Sequence, residues 1–249
     1  MIWEGWRLVL CVDPTQETLS ARKQKRFNHR TMSGKRLDQY RPSRLIEIFE
    51  DKKLVERIKL RLPYLFQLAE LEASRAGRVG MEVGSLREKI VIALLIYKFG
   101  EENIDTNVPI TEPEVDVRLF DRPVSIKTIT GMGGVKAVWT VDAQSAQKFR
   151  QNYFPKSEML LIQINWGQIG KFFHVPLHVQ RDVFERLGRE RYLKLPKLGT
   201  NPRGVEISKE ALLALTQNKK TEYIDIYWKK ENIPYSPYKR WVDYWREET

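Results

Sequence analysis

The chain has 249 residues and a formal net charge of +11, from 43 Lys plus Arg against 32 Asp plus Glu. This length suits one large α/β domain, and the excess of positive charge favours a polyanionic partner, although many basic proteins bind no nucleic acid. A single cysteine, Cys11, excludes an intrachain disulfide framework and is typical of a reducing cytoplasm, and with three histidines it argues against structural zinc.

The beginning of the chain contains a short apolar piece and then a basic segment. Residues 1–12 are apolar but lack the features of a signal peptide, and no run of about 18 apolar residues follows that could span a membrane. Residues 20–44 carry nine Lys or Arg against one acid, Asp38. Such a run lies along phosphates or is a solvated tail, and Met32 is an alternative start. We therefore predict a basic arm over residues 1–40 and a single domain over residues 41–249.

Helices are predicted in the next part of the chain. The first covers residues 43–61, with Ser43 as its N-cap, and the second covers residues 63–76 and opens at Pro63. Three glycines then surround Met81 in the segment 77–84, which suits backbone that approaches a ligand closely. A third helix carries Glu88, runs to Phe99 and ends at Gly100.

The rest of the chain alternates strands and helices. We predict strands near 104–110, 114–120 and 123–129, a glycine loop at 131–134, a short piece at 137–139, a helix at 142–153, strands near 158–166 and 171–175, a helix at 177–187, a basic loop at 189–204, a helix at 208–217, a strand near 222–228 and an aromatic C-terminus. The sequence shows no internal repeat.

Asp116 and Lys127 fall on two neighbouring predicted strands that are joined by a tight turn at residues 121–123. In each strand, apolar residues alternate with these polar positions at period two. Folding the hairpin brings a carboxylate and an ammonium group together. A metal-dependent nuclease needs this pair, because an oxygen ligand binds Mg²⁺ and a cation assists beside the scissile phosphate. Alternatively, Asp116 pairs with Arg118 or Arg122, and Lys127 is a solvated strand residue.

A second acid is needed because one carboxylate holds a hard divalent ion poorly. Glu88 is the best candidate, since an unpaired carboxylate facing inward is expensive to bury, and a metal or Lys127 would relieve that cost. The alternative is an ordinary first-turn acid, which the helix macrodipole favours. The apolar positions that would share the Glu88 face of the helix are Val91, Ile92, Leu95 and Ile96.

The hairpin resembles the PD-(D/E)xK nuclease signature with two departures. Pro113 is separated from Asp116 by two residues, and Ser125 stands where the motif has Asp or Glu. The order and spacing of Glu88, Asp116 and Lys127 resemble the ThaI-type restriction endonucleases, a branch of the PD-(D/E)xK superfamily, most clearly over residues 75–130. The resemblance implies an α/β fold with a restriction-endonuclease-like core, a mixed central β-sheet flanked by helices and a helical N-terminal part.

The family also implies a set of functional properties. A helix Glu, here Glu88, replaces the missing acid of the motif, and a methionine seven residues earlier, here Met81, enters DNA from the minor groove. Without the family, Met81 would be read as filling the core. The implied activity is that of a type II restriction endonuclease, a symmetric homodimer that recognises CGCG in double-stranded DNA and cuts it to blunt ends, in the cytoplasm of a prokaryotic cell.

The resemblance assigns roles to the site residues. Glu88 and Asp116 would hold Mg²⁺, and the backbone carbonyl of Ile126 could complete its ligands. Lys127 would orient or help deprotonate the attacking water and stabilise the developing charge. Ser125 would be a passive strand residue.

Guanine recognition in the major groove requires donors, so Lys136 and Arg203 are candidate DNA-binding residues, along with Lys194, Lys197 and Asn201. For each of them a phosphate contact or a plain surface position is the simpler interpretation. Two other functions stay open at this stage, namely another PD-(D/E)xK enzyme, such as a repair nuclease or junction resolvase, and a non-catalytic DNA-binding protein.

Overall fold

A central sheet and the helices around it account for most of the described part of the chain. The computed structural model describes residues 43–75, 78–80, 82–109, 112, 114–131, 134–140, 142–197 and 204–247. The predicted basic arm over residues 1–40 lies outside them, so its role stays a prediction. Residues Arg44–Thr249 form one compact unit.

The N-terminal elements are α1 (Ile46–Glu50), α2 (Lys52–Glu72), β1 (Ser74–Arg75), β2 (Arg78–Val79) and α3 (Val83–Phe99). The prediction of a new helix at Pro63 is wrong, because α2 runs through that residue. Asp51 breaks the predicted first helix instead, since its side chain caps α2 by accepting a hydrogen bond from the Leu54 amide at 3.1 Å. The buried stripe of Leu54, Ile58, Leu62 and Phe66 continues across Pro63 and offsets the lost backbone bond.

The middle elements are a 3₁₀ turn (Glu101–Asn103), β3 (Ile104–Asp105), β4 (Val117–Leu119), β5 (Arg122–Thr130), β6 (Val135–Val138), α4 (Ala143–Asn152), β7 (Glu158–Ile164) and β8 (Ile169–Val175). Gly100 ends α3 as predicted, with a φ of 85° that favours glycine. β3 and β4 are shorter than the predicted strands.

The C-terminal elements are α5 (Leu177–Leu187), α6 (Arg189–Tyr192), β9 (Leu193–Lys194), β10 (Val205–Ile207), α7 (Lys209–Thr216), β11 (Glu222–Tyr227) and α8 (Lys239–Arg246). The prediction that residues 189–204 form only a loop is wrong, because α6 and β9 lie within that range. The aromatic C-terminus contains α8, a helix whose described residues are all at least partly exposed. Among the described helices, none combines the length and apolar character needed to cross a membrane.

The described strands form a mixed central sheet in the order β11-β8-β7-β5-β4-β3. β5 and β7 are parallel, and the other neighbours are antiparallel. One face packs against α1, α2 and α3, and the opposite face packs against α4 to α7 and a small sheet of order β6-β10-β9. The predicted mixed sheet between helices is therefore confirmed, and β5 lies inside it.

The turn between β4 and β5 is tighter than predicted. Leu119 pairs with Arg122, so the two loop residues are Phe120 and Asp121, with φ values of 47° and 65°. Positive φ at both positions is the geometry of a two-residue hairpin turn of type I′. Pro123 belongs to β5, and the two strands keep one register over Val117–Leu119.

Candidate active site

Asp116 closes the end of the β4–β5 ladder. Its backbone amide donates to the Val124 carbonyl at 3.0 Å. Its carboxylate accepts a hydrogen bond from the Ile126 amide at 2.5 Å and a longer one, at 3.4 Å, from the Ser125 hydroxyl. The Asp116 carboxylate thus accepts a β5 backbone hydrogen bond that a further residue of β4 would otherwise accept. This bond fixes the orientation of the carboxylate.

Lys127 is in contact with Asp116. The distance from Lys127 Nζ to Asp116 Oδ2 is 3.3 Å, and each side chain is only 15% exposed. The alternative partners of Asp116 bind elsewhere, because Arg118 pairs with Glu112 and Arg122 lies 3.8 Å from Glu158. The structure therefore brings together the two residues that the hairpin predicted, although their catalytic role stays a prediction.

Glu88 lies in the first turns of α3, beside its buried stripe. That stripe consists of Arg87, Val91, Leu95 and Phe99. Glu88 was predicted to lie on the inward face, but the buried residue at this level of the helix is Arg87. Burial raises the pKa of the half-buried Glu88 carboxyl, and the charge of Asp116 raises it further. Lys127 and Lys89 act in the opposite direction. Glu88 is therefore within electrostatic reach of both hairpin residues.

Glu114 is a further acid at this place that was not among the predicted site residues. Burial raises its pKa to about 7, against hydrogen bonding to Tyr153 and the charges of Lys127 and Lys156. Its backbone carbonyl accepts a hydrogen bond from Ser157 at 3.3 Å. The signal in the sequence is a second acid two residues before Asp116. We refer to Glu88, Glu114, Asp116 and Lys127 as the acidic cluster.

The acidic cluster has the donor chemistry for a divalent cation. No group of three or more Asp, Glu, His or Cys side chains at metal-binding distances occurs among the described residues. However, the charge of Asp116 adds to burial in raising the pKa of Glu88, and within the described part of the chain no hydrogen bond holds the Glu88 carboxylate. Hard divalent cations take oxygen ligands of this kind, so the two acids fit such an ion.

The predicted DNA-binding residues are only partly described. Met81 and Arg203 lie outside the described residues, as does Asn201. Lys136, on β6, contacts the Glu206 carboxylate on β10, and Lys194, on β9, lies 3.9 Å from the same carboxylate. Glu206 was not predicted, because only the pairing of three short strands brings it between the two lysines.

Comparison with known proteins decides the family. The sequence profile described as restriction endonuclease ThaI matches residues 48–247. The chain belongs to the ThaI restriction endonuclease family. A solved structure described as a restriction endonuclease in complex with substrate DNA is 54% identical to it, with a TM-score of 0.78. That match covers 82% of this chain and 99% of the other. No curated protein matches the chain.

Membership in the ThaI family confirms two predictions. The fold is a restriction-endonuclease-like mixed sheet flanked by helices, and the enzyme class is that of a type II nuclease. The resemblance seen over residues 75–130 extends over nearly all of residues 44–249.

Proposed function

We propose that this chain is a type II restriction endonuclease that hydrolyses double-stranded DNA with Mg²⁺ at a short palindromic site. The observation that carries the proposal is the 3.3 Å contact between Lys127 and Asp116, with Glu88 in electrostatic reach. A carboxylate pair beside an amine suits phosphodiester hydrolysis. The 54% identity to a restriction endonuclease solved with substrate DNA supports DNA as the substrate.

In the proposed site, Glu88 and Asp116 would hold Mg²⁺. When bound, the metal lowers the pKa of a coordinated water and offsets negative charge on the phosphate. Ile126 is the further candidate ligand, through its backbone carbonyl. Its amide points at Asp116, and the N–H and C=O groups of one strand residue point to the same side, which supports a carbonyl directed toward the acids.

Lys127 would act on the reacting groups through its Nζ. The amine lies beside Asp116, so a water or phosphate oxygen near that carboxylate is within its reach. From there it would orient the attacking water and donate hydrogen bonds to the phosphate as charge develops. Ser125 donates to Asp116 and is buried, which supports the passive role expected of it.

We further propose that the recognised site is CGCG, cut to blunt ends, with Met81 inserted from the minor groove. Pyrimidine–purine steps such as the central CpG open readily. An apolar wedge costs a few kcal/mol of unstacking, which contacts to the deformed DNA offset. The family membership supports this part of the proposal, since Met81 itself lies outside the described residues.

Base reading in the major groove is assigned to Lys136 and Arg203, because guanine presents two acceptors there. Lys136 already contacts Glu206, so binding would require it to exchange or share that carboxylate. A palindromic site that is read by one type of chain requires two-fold symmetry. We therefore propose a homodimer as the active form.

The deciding experiment is digestion of phage DNA by the purified chain with Mg²⁺, followed by sequencing of the cut ends. We expect discrete fragments with blunt ends at CGCG and no cutting in EDTA. Discrete fragments with other ends would reject the CGCG assignment alone. Smears or cutting of branched substrates would indicate a repair nuclease or a resolvase, and tight binding without Mg²⁺-dependent cleavage would indicate a non-catalytic protein.

A further inference from the structure

Arg87, the residue before Glu88, is buried where α3 meets α2 and β5. Its Nη2 lies 2.6 Å from Glu70 Oε1, and its Nη1 donates to the Thr130 hydroxyl at 3.2 Å. The side chains of Arg87 and Glu70 are 6% and 9% exposed. One guanidinium group therefore ties three elements together, and its ion pair with Glu70 is shielded from solvent.

Glu70 has additional partners. Its Oε1 accepts a hydrogen bond from the Trp166 indole at 2.8 Å, and its Oε2 lies 3.4 Å from Lys230 Nζ. Several donors thus share one carboxylate from different sides. We refer to Glu70, Arg87, Thr130, Trp166 and Lys230 as the junction cluster.

Thr130 gives this cluster its position relative to the acidic cluster. It is the last residue of β5, three residues after Lys127. β4 pairs with β5 only over residues 122–124, whereas β7 pairs with β5 through Thr130. Helix α3 packs against β5, and the Arg87–Thr130 hydrogen bond joins the first turns of that helix to the end of the strand that carries Lys127.

We infer that Arg87 is a positioning residue for Glu88. Its planar group holds Glu70 and Thr130 at once, which fixes α3 along and around its axis against β5. Glu88 is the next residue on the same helix, so its reach to Asp116 is set by this attachment. The inference rests on the proposed function in one respect, since it treats Glu88 as a metal ligand.

A buried ion pair is weak evidence for stability by itself, because apolar side chains of similar volume often stabilise a protein as well or better. Residues that orient metal ligands, by contrast, change metal affinity when they are altered. Metal affinity therefore separates a positioning role from a merely structural one.

The test uses two variants and a matched control. Thr130→Val removes the hydroxyl acceptor on an exposed strand end and leaves the Arg87–Glu70 pair intact. Arg87→Lys keeps a paired charge but loses the planar fork whose two terminal nitrogens bond Glu70 and Thr130 separately. Lys230→Met removes another partner of Glu70 without affecting the link to β5.

Each variant is titrated with Mn²⁺, followed by electron paramagnetic resonance, and its melting temperature is measured in EDTA. The Mg²⁺ midpoint of single-turnover cleavage is a second readout. We expect Thr130→Val and Arg87→Lys to weaken Mn²⁺ binding about tenfold, the low end for residues that orient ligands, and to raise the Mg²⁺ midpoint similarly. Excess metal should largely restore the rate, and Lys230→Met should leave both midpoints unchanged.

Unchanged Mn²⁺ affinity in Thr130→Val and Arg87→Lys, with only a lower melting temperature, would overturn the positioning role. The same conclusion would follow if the unmodified chain bound no Mn²⁺. A chain that binds Mn²⁺ but cuts no DNA would refute the proposed function, while the effect of the variants on metal binding would still decide this inference.

Discussion

The acidic cluster and the junction cluster meet at neighbouring residues of α3, but their charges are balanced differently. In the acidic cluster, three carboxylates lie near Lys127, and burial raises the pKa of Glu88 and Glu114. In the junction cluster, the single carboxylate of Glu70 is shared by Arg87, Trp166 and Lys230. The acidic cluster has more carboxylates than positive groups. In the junction cluster, the one carboxylate has several donors of its own.

Two adjacent residues of α3 therefore belong to different kinds of cluster, Arg87 to one that holds elements of the fold together and Glu88 to the proposed active site. Buried carboxylates that lack a full set of partners destabilise the folded chain until a cation binds. A carboxylate with its partners in place keeps the surrounding elements fixed. The comparison predicts opposite outcomes when an acid is removed from each cluster.

The largest effect is expected on catalysis from the acidic cluster. Lys127→Met should lower the single-turnover cleavage rate roughly 10²–10⁴-fold, the usual range for a group that assists proton transfer. Asp116→Asn should reduce the rate at least as far, because it removes a proposed metal ligand. Binding of the DNA site in EDTA should be nearly unchanged in both.

Lys89→Met is the control for these two variants. The charge of Lys89 also lowers the pKa of Glu88, but Lys89 is exposed on α3. It should cleave at close to the parental rate. Undiminished turnover in Lys127→Met or Asp116→Asn would end the assignment of the acidic cluster as the active site.

The next largest effect is expected on stability from the junction cluster. Glu70→Gln leaves the buried Arg87 without its counter-charge, so the free energy of unfolding should fall by about 3–5 kcal/mol. Glu72→Gln, which loses only the partly exposed pair with Arg240, should change it by at most about 1 kcal/mol. Urea denaturation of both variants measures the difference. Equal losses would mean that burial of the Glu70 pair has no special effect.

The sequence predicts the fold well where periodicity is strong and local. Helix α3 with its glycine end and the β4–β5 hairpin follow from residues that are close in the chain. β9, β10 and α6 were not predicted, since two to four residues carry too little periodicity and are ordered by packing against other elements. The prediction of a helix start at Pro63 is wrong because the apolar stripe of α2 outweighs the local signal of one proline.

In the candidate site, too, the sequence predicts the residues that are close in the chain and not those that packing brings together. Asp116 and Lys127 could be paired from the hairpin alone. Glu114 has a local signal only as a second acid near Asp116, because its burial depends on Tyr153, which comes from the end of α4. The contact of Arg87 with Thr130 joins residues 43 positions apart, and no local pattern marks such a pair.

A smaller effect is expected when the charge of Glu88 is removed. Because the pKa of Glu88 is raised in the folded chain, its ionised form is destabilising at neutral pH. Glu88→Gln should therefore raise the melting temperature slightly in EDTA, opposite in sign to Glu70→Gln. Added Mg²⁺ should stabilise the parent chain more than the variant. A lower melting temperature in EDTA would show that Glu88 is already balanced by its neighbours and would remove the contrast between the clusters.

The smallest effect is expected at Asp51, where an ion pair is partly exposed. Lys98 Nζ lies 2.7 Å from Asp51 Oδ2, and hydrogen bonds from Lys98 and from the Leu54 amide lower the pKa of Asp51 below its ordinary value of 3.8. An acid with a lowered pKa stabilises the fold above its unfolded pKa, and that contribution is lost as the pH falls through its folded pKa.

Asp51→Asn keeps a good N-cap but loses the charge. Thermal melts should therefore show a small loss at neutral pH that shrinks as the pH falls below 3.8, and Lys98→Met should behave alike. A loss that is independent of pH would assign the effect to helix capping, and the exposed pair would then contribute nothing to the comparison with the two buried clusters.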